Sequence, residues 1–311
     1  MLEIRPKVSI VIPAYNHAGF LPEAIESVLA QDYPHIELIV LDDGSTDSTR
    51  DVLMQYGGRF LWESHANMGQ AATLNKGWRI SNGELLGYLS ADDHLRPDAV
   101  STTVATLCAH PEAVVAYCDF ELVDPRGKLI RQVRAAEFSL EDMLTKFACP
   151  PGPGALFRRN AFEAADGWNP SLKLMPDFDY WLRLARRGPF IRIPRALAAW
   201  RAHEASQSFG AVTHERAREP LDIINDFFSS DGLPSEIRAL ENRSLARAHL
   251  VSCQLHARSA RFGDAGRAFL RACKISPGIL LLPETWRLVV NALINRPAHR
   301  FLWAMRSVFD R

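Results

Sequence analysis

Two apolar runs near the start of the chain, "VSIVIPAY" (Val8 to Tyr15) and "IELIVLDD" (Ile36 to Asp43), are continuous rather than alternating. A strand with one wet face alternates apolar and polar residues, so runs like these read as strands covered on both faces, the pattern of a parallel sheet. Parallel neighbours need a crossover, and between the runs Leu21, Ile25, Val28 and Leu29 recur at helical spacing. The result is a βαβ unit, and the pattern repeats. A helix from about Ser48 is stopped by Gly57 and Gly58; a strand "RFLWES" follows, then a helix near Gln70 to Ile80, then a strand that ends at Asp92. This predicts a doubly wound α/β start. After a helix over Pro97 to His110, "AVVAYCDFELVDPRGKLIRQV" reads as two strands joined at the Asp124–Gly127 turn, which makes the sheet mixed.

Bulk properties narrow the function. A chain of 311 residues with 47% hydrophobic content can bury a sizeable core and suits one large domain plus a smaller one. Lys plus Arg (36) balances Asp plus Glu (36), so net charge gives no case for nucleic acid as a partner. The five cysteines are odd in number, scattered, and show no C-x-x-C spacing, which argues against a disulfide framework or a zinc site. The chain enters its first strand directly, so no signal peptide is expected, and no apolar run approaches the roughly 20 residues that span a bilayer. The expected location is the cytoplasm.

Ligands in open α/β sheets bind beyond the carboxyl ends of the strands. Three polar clusters fall there: "PAYNHAGF", "DDGSTDST" and "SADDH". In "GYLSADDHLRPD" two carboxylates, Asp92 and Asp93, stand side by side after a buried strand. Repulsion and desolvation penalise that arrangement unless something positive compensates: a metal ion, a basic side chain or a ligand donor. No G-x-G-x-x-G follows the first strand, no P-loop is present, and "DDGSTDST" lacks calcium-loop spacing, so phosphates would be held through a carboxylate-bound divalent ion instead.

"VSIVIPAYNHAGFLPEAIESVLAQDYPHIELIVLDDGSTDST", then "NMGQAATLNKGWRISNGELLGYLSADD", then "GALFRRNAFEAADGWNPSLKLMPDFDYWLRLARRG", resemble the successive motifs of family 2 glycosyltransferases of the GT-A fold. The ordered set runs from about Val8 to Ser208. The resemblance implies a GT-A catalytic domain over 1–210 with a mixed central sheet, and sugar transfer from a nucleotide diphosphate donor (UDP-, dTDP- or GDP-sugar) to a saccharide or lipid-linked saccharide acceptor. It also implies inversion at the anomeric carbon and Mg²⁺ or Mn²⁺ as cofactor, in synthesis of a cell-surface polysaccharide or glycolipid. A catalytically inactive sugar-nucleotide-binding protein is the alternative.

Carried over by position, the resemblance makes Tyr15 the aromatic that stacks on the base, with Pro13 before it in the same donor-binding segment. Asp43 becomes the acceptor for the base ring N–H, and Asp42 structural. Asp92 falls to the ribose or sugar and Asp93 to the metal, in an element that reads Ala91-Asp92-Asp93 instead of Asp-x-Asp. Asp177 in "MPDFDYWLRL" becomes the catalytic base, with Pro176 where relatives carry Glu. Asp179 reads as a capping acid and His94 as a loop residue. His203 in "WRAHEASQS" resembles an element at the donor phosphates and is assigned to metal or diphosphate.

From about Thr213 the composition turns helical. "ENRSLARAHLVSCQLHARSARFGDAGRAFLRACKISP" has Ala at close-packing positions and Gly263 between two helices, a helical hairpin of the tetratricopeptide sort. The predicted second domain is therefore 211–311. Its tail mixes Trp286, Leu288, Phe301 and Trp303 with arginines, which fits a helical cap or, alternatively, a peripheral contact with the inner face of the cell membrane.

Overall fold

The structure, a computed structural model, describes residues 5–203, 212–286 and 288. The chain forms two compact units, Met1–Ser139 with Cys149–Ser206, and Leu140–Ala148 with Gln207–Arg311.

In the first unit β1 (Val8–Ala14), α1 (Leu21–Leu29), β2 (Ile36–Asp42), α2 (Thr49–Gln55), β3 (Leu61–Ser64), α3 (Gln70–Ile80) and β4 (Leu85–Tyr88) follow the predicted alternation. Every residue of β1 is buried, as its unbroken apolar run requires. The unit continues through β5 (His94–Leu95), α4 (Ala99–Ala109), β6 (Val115–Val123) and β7 (Leu129–Val133). The chain passes into the second unit for α5 (Leu140–Lys146) and returns with β8 (Leu156–Arg158), α6 (Arg159–Ala165), α7 (Pro176–Ala185) and β9 (Phe190–Arg201). The sheet order is β3-β2-β1-β4-β8-β6-β9-β5, with β7 also on β6. Strands β1 to β4 run parallel, whereas β8 is antiparallel to both β4 and β6, so the sheet is mixed as predicted.

Packing fixes the helices that carry the site. Helix α3 lies so close to β1 that a Cβ on Gly77 would meet Val11 Cγ1 at 2.4 Å. Behind it, Trp78 stacks on Tyr180 with ring centroids 6.0 Å apart and meets Phe157 edge-on at 5.2 Å, while its Nε1–H donates to the Gly87 carbonyl at 3.0 Å. Phe178, Tyr180 and Trp181 of α7 are all buried, so α7 is held by its aromatic face and presents the acids of its first turn in a fixed direction.

The second unit contains α8 (His214–Ser229), the short α9 (Ser235–Arg238), α10 (Glu241–Arg258), α11 (Phe262–Ile275) and a 3₁₀ turn at Pro277–Leu281. Ala257, Ala265 and Ala268 are buried where α10 and α11 pack, which is the expected hairpin. Its hinge is one turn earlier than the sequence suggests: Gly263 lies inside α11, and the reversal is made by Ala260 in the left-handed region, φ 60°. Arg243 pairs with Glu141 of α5 at 3.1 Å, and Arg247 donates to the Lys146 carbonyl, which ties the excursion at 140–148 to this unit. No helix among the described residues is long and apolar enough to cross a membrane. Most of the tail, including Phe301 and Trp303, lies outside the described residues.

Candidate active site

The parallel register sets the carboxyl ends of β1 and β2 level: Pro13 pairs with Leu41, Ala14 with Asp42, and the Asp43 N–H donates to the Ala14 carbonyl at 2.8 Å. Pro13 is buried within β1, whereas Tyr15, just past the strand, is 46% exposed and free to meet a planar ligand. Asn16 and the "DDGSTD" loop zip together, since Asn16 Oδ1 accepts from the Thr46 amide at 2.8 Å and Ala18 N–H donates to Asp47. Gly44 makes the turn possible: its φ is +76°, and a Cβ there would meet the Asn67 amide at 2.7 Å.

Asp42 and Asp43 have different duties. Asp42 accepts from the Ser45 amide and the Ser64 hydroxyl, 3.0 and 2.7 Å, and is buried as a loop organiser. Asp43 accepts from the Met68 and Gly69 amides at 2.7 and 2.9 Å, just where α3 begins. Two amides leave further lone pairs on a carboxylate, so this geometry both anchors α3 and keeps an acceptor for a ligand N–H.

The adjacent acids after β4 also diverge. Asp93 turns inward: it is 5% exposed, its Oδ1 accepts from the Arg201 amide at 2.9 Å, and burial first, then Asp92, push its pKa well above the usual carboxylate range. Asp92 faces the other way. Its Oδ2 lies 2.8 Å from His203 Nε2 and 3.9 Å from His17 Nε2, and the three ligand atoms are all within 4.8 Å of one another. His17 Nδ1 is buried without a hydrogen-bond partner among the described residues. The structure thus gathers Asp92 and His203 with His17, and leaves Asp93 out of that cluster.

Arg201 holds the turn. Only 2% exposed, it donates through Nε to the Asp92 carbonyl at 2.9 Å and through Nη1 to the Asp124 and Pro125 carbonyls, pairs with Glu23 of α1, and lies 5.1 Å over the Phe20 ring. His94 stands 3.2 Å from the same Glu23.

Pro176 opens α7 and places Asp177 and Asp179 in its first turn, as predicted. Asp179 is buried and bound to Arg183 at 2.6 Å, and Arg183 in turn donates to the Gly167 carbonyl. Asp177 has no ion pair among the described residues, and burial raises its pKa despite the amides at the helix start. Tyr88, at the end of β4, has its hydroxyl pKa raised well above normal by burial and then by Asp177, with Asp93 a lesser cause, so the α7 acid and the β4 turn share one electrostatic environment.

Residues 9–165 match the family described as Glycosyl transferase family 2. The chain belongs to that family. An uncharacterised glycosyltransferase of Rickettsia typhi is 30% identical over 223 residues, 70% of each chain. A chondroitin synthase of Escherichia coli is 31% identical over 232 residues, which are 73% of this chain and 33% of that enzyme. Among solved structures, TarS 1–349 of S. aureus in complex with UDP-GlcNAc superposes with a TM-score of 0.67 at 18% identity, over 94% of this chain and 91% of that one. The mannosyltransferase of Pyrobaculum calidifontis in complex with GDP-Man and Mn²⁺ gives a TM-score of 0.59 at 18% identity, over 97% and 88%. The fold of this glycosyltransferase is GT-A-like, with a helical C-terminal region.

Two residues that the structure brings to the Asp92–Asp93 turn were not singled out in the sequence. His17 sits beside Tyr15 in a polar cluster already singled out, but only the approach of the 90–94 turn gives it company. Arg201 carried no local signal, because its partners lie as much as 178 positions away.

Proposed function

We propose that the chain transfers a hexosyl group from a nucleotide diphosphate sugar to an acceptor hydroxyl with inversion at the anomeric carbon. The acceptor belongs to a cell-surface polysaccharide or glycolipid. Asp177 is the base. The observation that carries this is the contrast within one helical turn: Asp179 is spent on Arg183, while Asp177 has no ion pair among the described residues and a raised pKa, the condition of a carboxylate able to take a proton. In the step, the acceptor oxygen bonds to the anomeric carbon, its proton passes to Asp177, and the carbon–oxygen bond to the diphosphate breaks with its electrons leaving on the diphosphate. Tyr15 stacks on the base and Asp43 accepts from it. The bound donors of the two structural neighbours, UDP-GlcNAc and GDP-Man, support a hexosyl donor, and the chondroitin synthase relatives support a polysaccharide product.

A divalent ion fits His17, Asp92 and His203: two imidazoles and one carboxylate with converging atoms, one of them a histidine whose other nitrogen is buried and unpartnered. Bound there, the ion would supply positive charge to the departing diphosphate. Nitrogen-rich sets suit Mn²⁺ better than Mg²⁺. The test is donor turnover with the product's anomeric configuration read by NMR, alongside Mn²⁺ binding by electron paramagnetic resonance. Inverted product, and Mn²⁺ affinity at least tenfold weaker in His17→Ala and Asp92→Asn than in Asp93→Asn, are expected. Retained configuration overturns the single displacement; nucleotide binding without any turnover favours the inactive binding protein; equal Mn²⁺ binding in all three variants removes the metal assignment.

A further inference from the structure

The second unit contains a cavity of about 690 Å³ lined by α8, α10 and α11, within the size range of small-molecule sites. Its wall includes His214, His256 and Asp264, whose ligand atoms lie within 4.8 Å of one another and so resemble a metal site. The hydrogen bonding contradicts that. Arg261 Nε–H donates to His256 Nδ1 at 2.9 Å, so the neutral imidazole carries its proton on Nε2 and presents a donor there, not a lone pair. Asp264 is bound to Arg267. A cation would enter between two guanidinium groups and find its best nitrogen ligand protonated.

The same features favour an anion. Of the arginines on the wall, Arg218 is matched by Asp222 at 3.0 Å and Arg267 by Asp264, which accounts for both acids of the lining. Arg271 is left with no carboxylate partner among the described residues, and its charge is felt by His249, whose pKa is lowered first by burial and then by Arg271. The side chains of His249 and Ser252 line the same cavity. A guanidinium without a carboxylate partner, beside an imidazole and a hydroxyl on one cavity wall, is a place for a phosphate or carboxylate that also carries hydroxyls. We propose that this cavity binds an anionic saccharide segment bearing phosphate or carboxylate groups, in a site separate from the donor-binding residues. The saccharide part rests on the glycosyl-transfer reading; the anion part does not.

The experiment titrates the full chain, by calorimetry at low ionic strength, with a glycerol phosphate oligomer, with a glucuronate-containing tetrasaccharide and with a neutral tetrasaccharide. Binding of one charged oligomer at least tenfold tighter than the neutral one supports the site and identifies which anion it takes. Arg271→Gln should then weaken that oligomer by roughly tenfold, as loss of a charge-assisted contact predicts, and His249→Gln by less. Arg271 is exposed, so the variant keeps its fold, and circular dichroism checks this. Equal affinity for charged and neutral oligomers, or an Arg271→Gln affinity equal to wild type, overturns the proposal. Donor turnover is read separately: its failure counts against the transfer reading, and the binding result stands or falls by itself.

Discussion

Asp177 and Asp179 lie two positions apart on the same helix and differ in everything that decides chemistry. Asp179→Asn removes the carboxylate charge that faces Arg183 and should cost about 1–3 kcal/mol of stability while leaving the transfer rate within a few-fold. Asp177→Asn keeps shape and removes basicity, so transfer should fall roughly 10²- to 10⁴-fold with nucleotide affinity little changed. The raised pKa adds a pH signature. A base must be ionised, so transfer should be lost as pH falls through that raised value, earlier than an ordinary exposed carboxylate would dictate. For stability the sign is opposite: a carboxylate whose folded pKa is raised contributes stability that is present below its unfolded pKa and lost as pH rises through the folded one. At neutral pH ionised Asp177 is therefore a burden, and Asp177→Asn should melt higher than wild type, with the gap closing in acid. A variant that is inactive and less stable at neutral pH would point to a structural role instead. Among single residues, the places of Tyr15, Asp43 and Asp177 in the fold were legible, the first two just past a strand and the third in the opening turn of a helix. The opposite directions of the Asp92 and Asp93 side chains were not, because Asp93 meets the Arg201 amide and Asp92 meets His203, partners about 110 positions away that no local pattern connects to the turn.

Elements were legible wherever local periodicity and burial agree. The run of β1, the spacing of α1 and the span of α3 all follow from their own residues, and Asp98 stands at the N-cap position of α4, next to the predicted start, with its carboxylate on Arg195. Strand β9 is different. Its twelve residues pair in parallel with β6 at nine positions through two register shifts, and its far end pairs antiparallel with β5, His94 opposite Ala199, which carries Arg201 and His203 to the Asp92–Asp93 turn. Tertiary pairing over such a distance leaves no periodic mark on the sequence. The buried guanidinium makes β9 testable as an element. Arg201→Met keeps much of the volume but leaves the Asp92, Asp124 and Pro125 carbonyls without their donor, so a loss of about 2–4 kcal/mol is expected, or a melting point lower by on the order of 5–10 °C. Mn²⁺ affinity should fall with it, because the turn that aims Asp92 is loosened, while Arg201→Lys should restore part of the stability and less of the metal binding. Wild-type Mn²⁺ affinity in a destabilised Arg201→Met would separate the clamp from the site.

At the scale of the whole molecule, the two proposed sites fall on different units, one drawn from acids and imidazoles of the first and one from the arginine-bearing cavity of the second. The expected two-domain division places residues 140–148 with the first domain, whereas in the structure they pack with the helical unit. A seven-residue helix has too short an apolar pattern to declare which body it joins, and its allegiance is set by Arg243 and Arg247 about a hundred positions later. The two proposed sites predict separable footprints in hydrogen exchange. GDP or UDP with Mn²⁺ should protect 14–18, 42–47 and 90–94, where the backbone of the donor-side loops would be ordered by the ligand, and leave 214–271 unchanged. An anionic oligosaccharide should protect the facing segments of α8, α10 and α11 and leave the first three segments unchanged. Ligand at about 100 times its dissociation constant adds roughly 2.7 kcal/mol to whichever unit binds it, enough to slow exchange in that unit's most protected amides by about a hundredfold. His17→Ala should weaken the Mn²⁺-dependent part of the first footprint and spare the second, and Arg271→Gln should weaken the second and spare the first. If either ligand protected both sets of segments equally in wild type and in both variants, the two sites would be one, and the assignment of separate chemistry to the helical unit would be wrong.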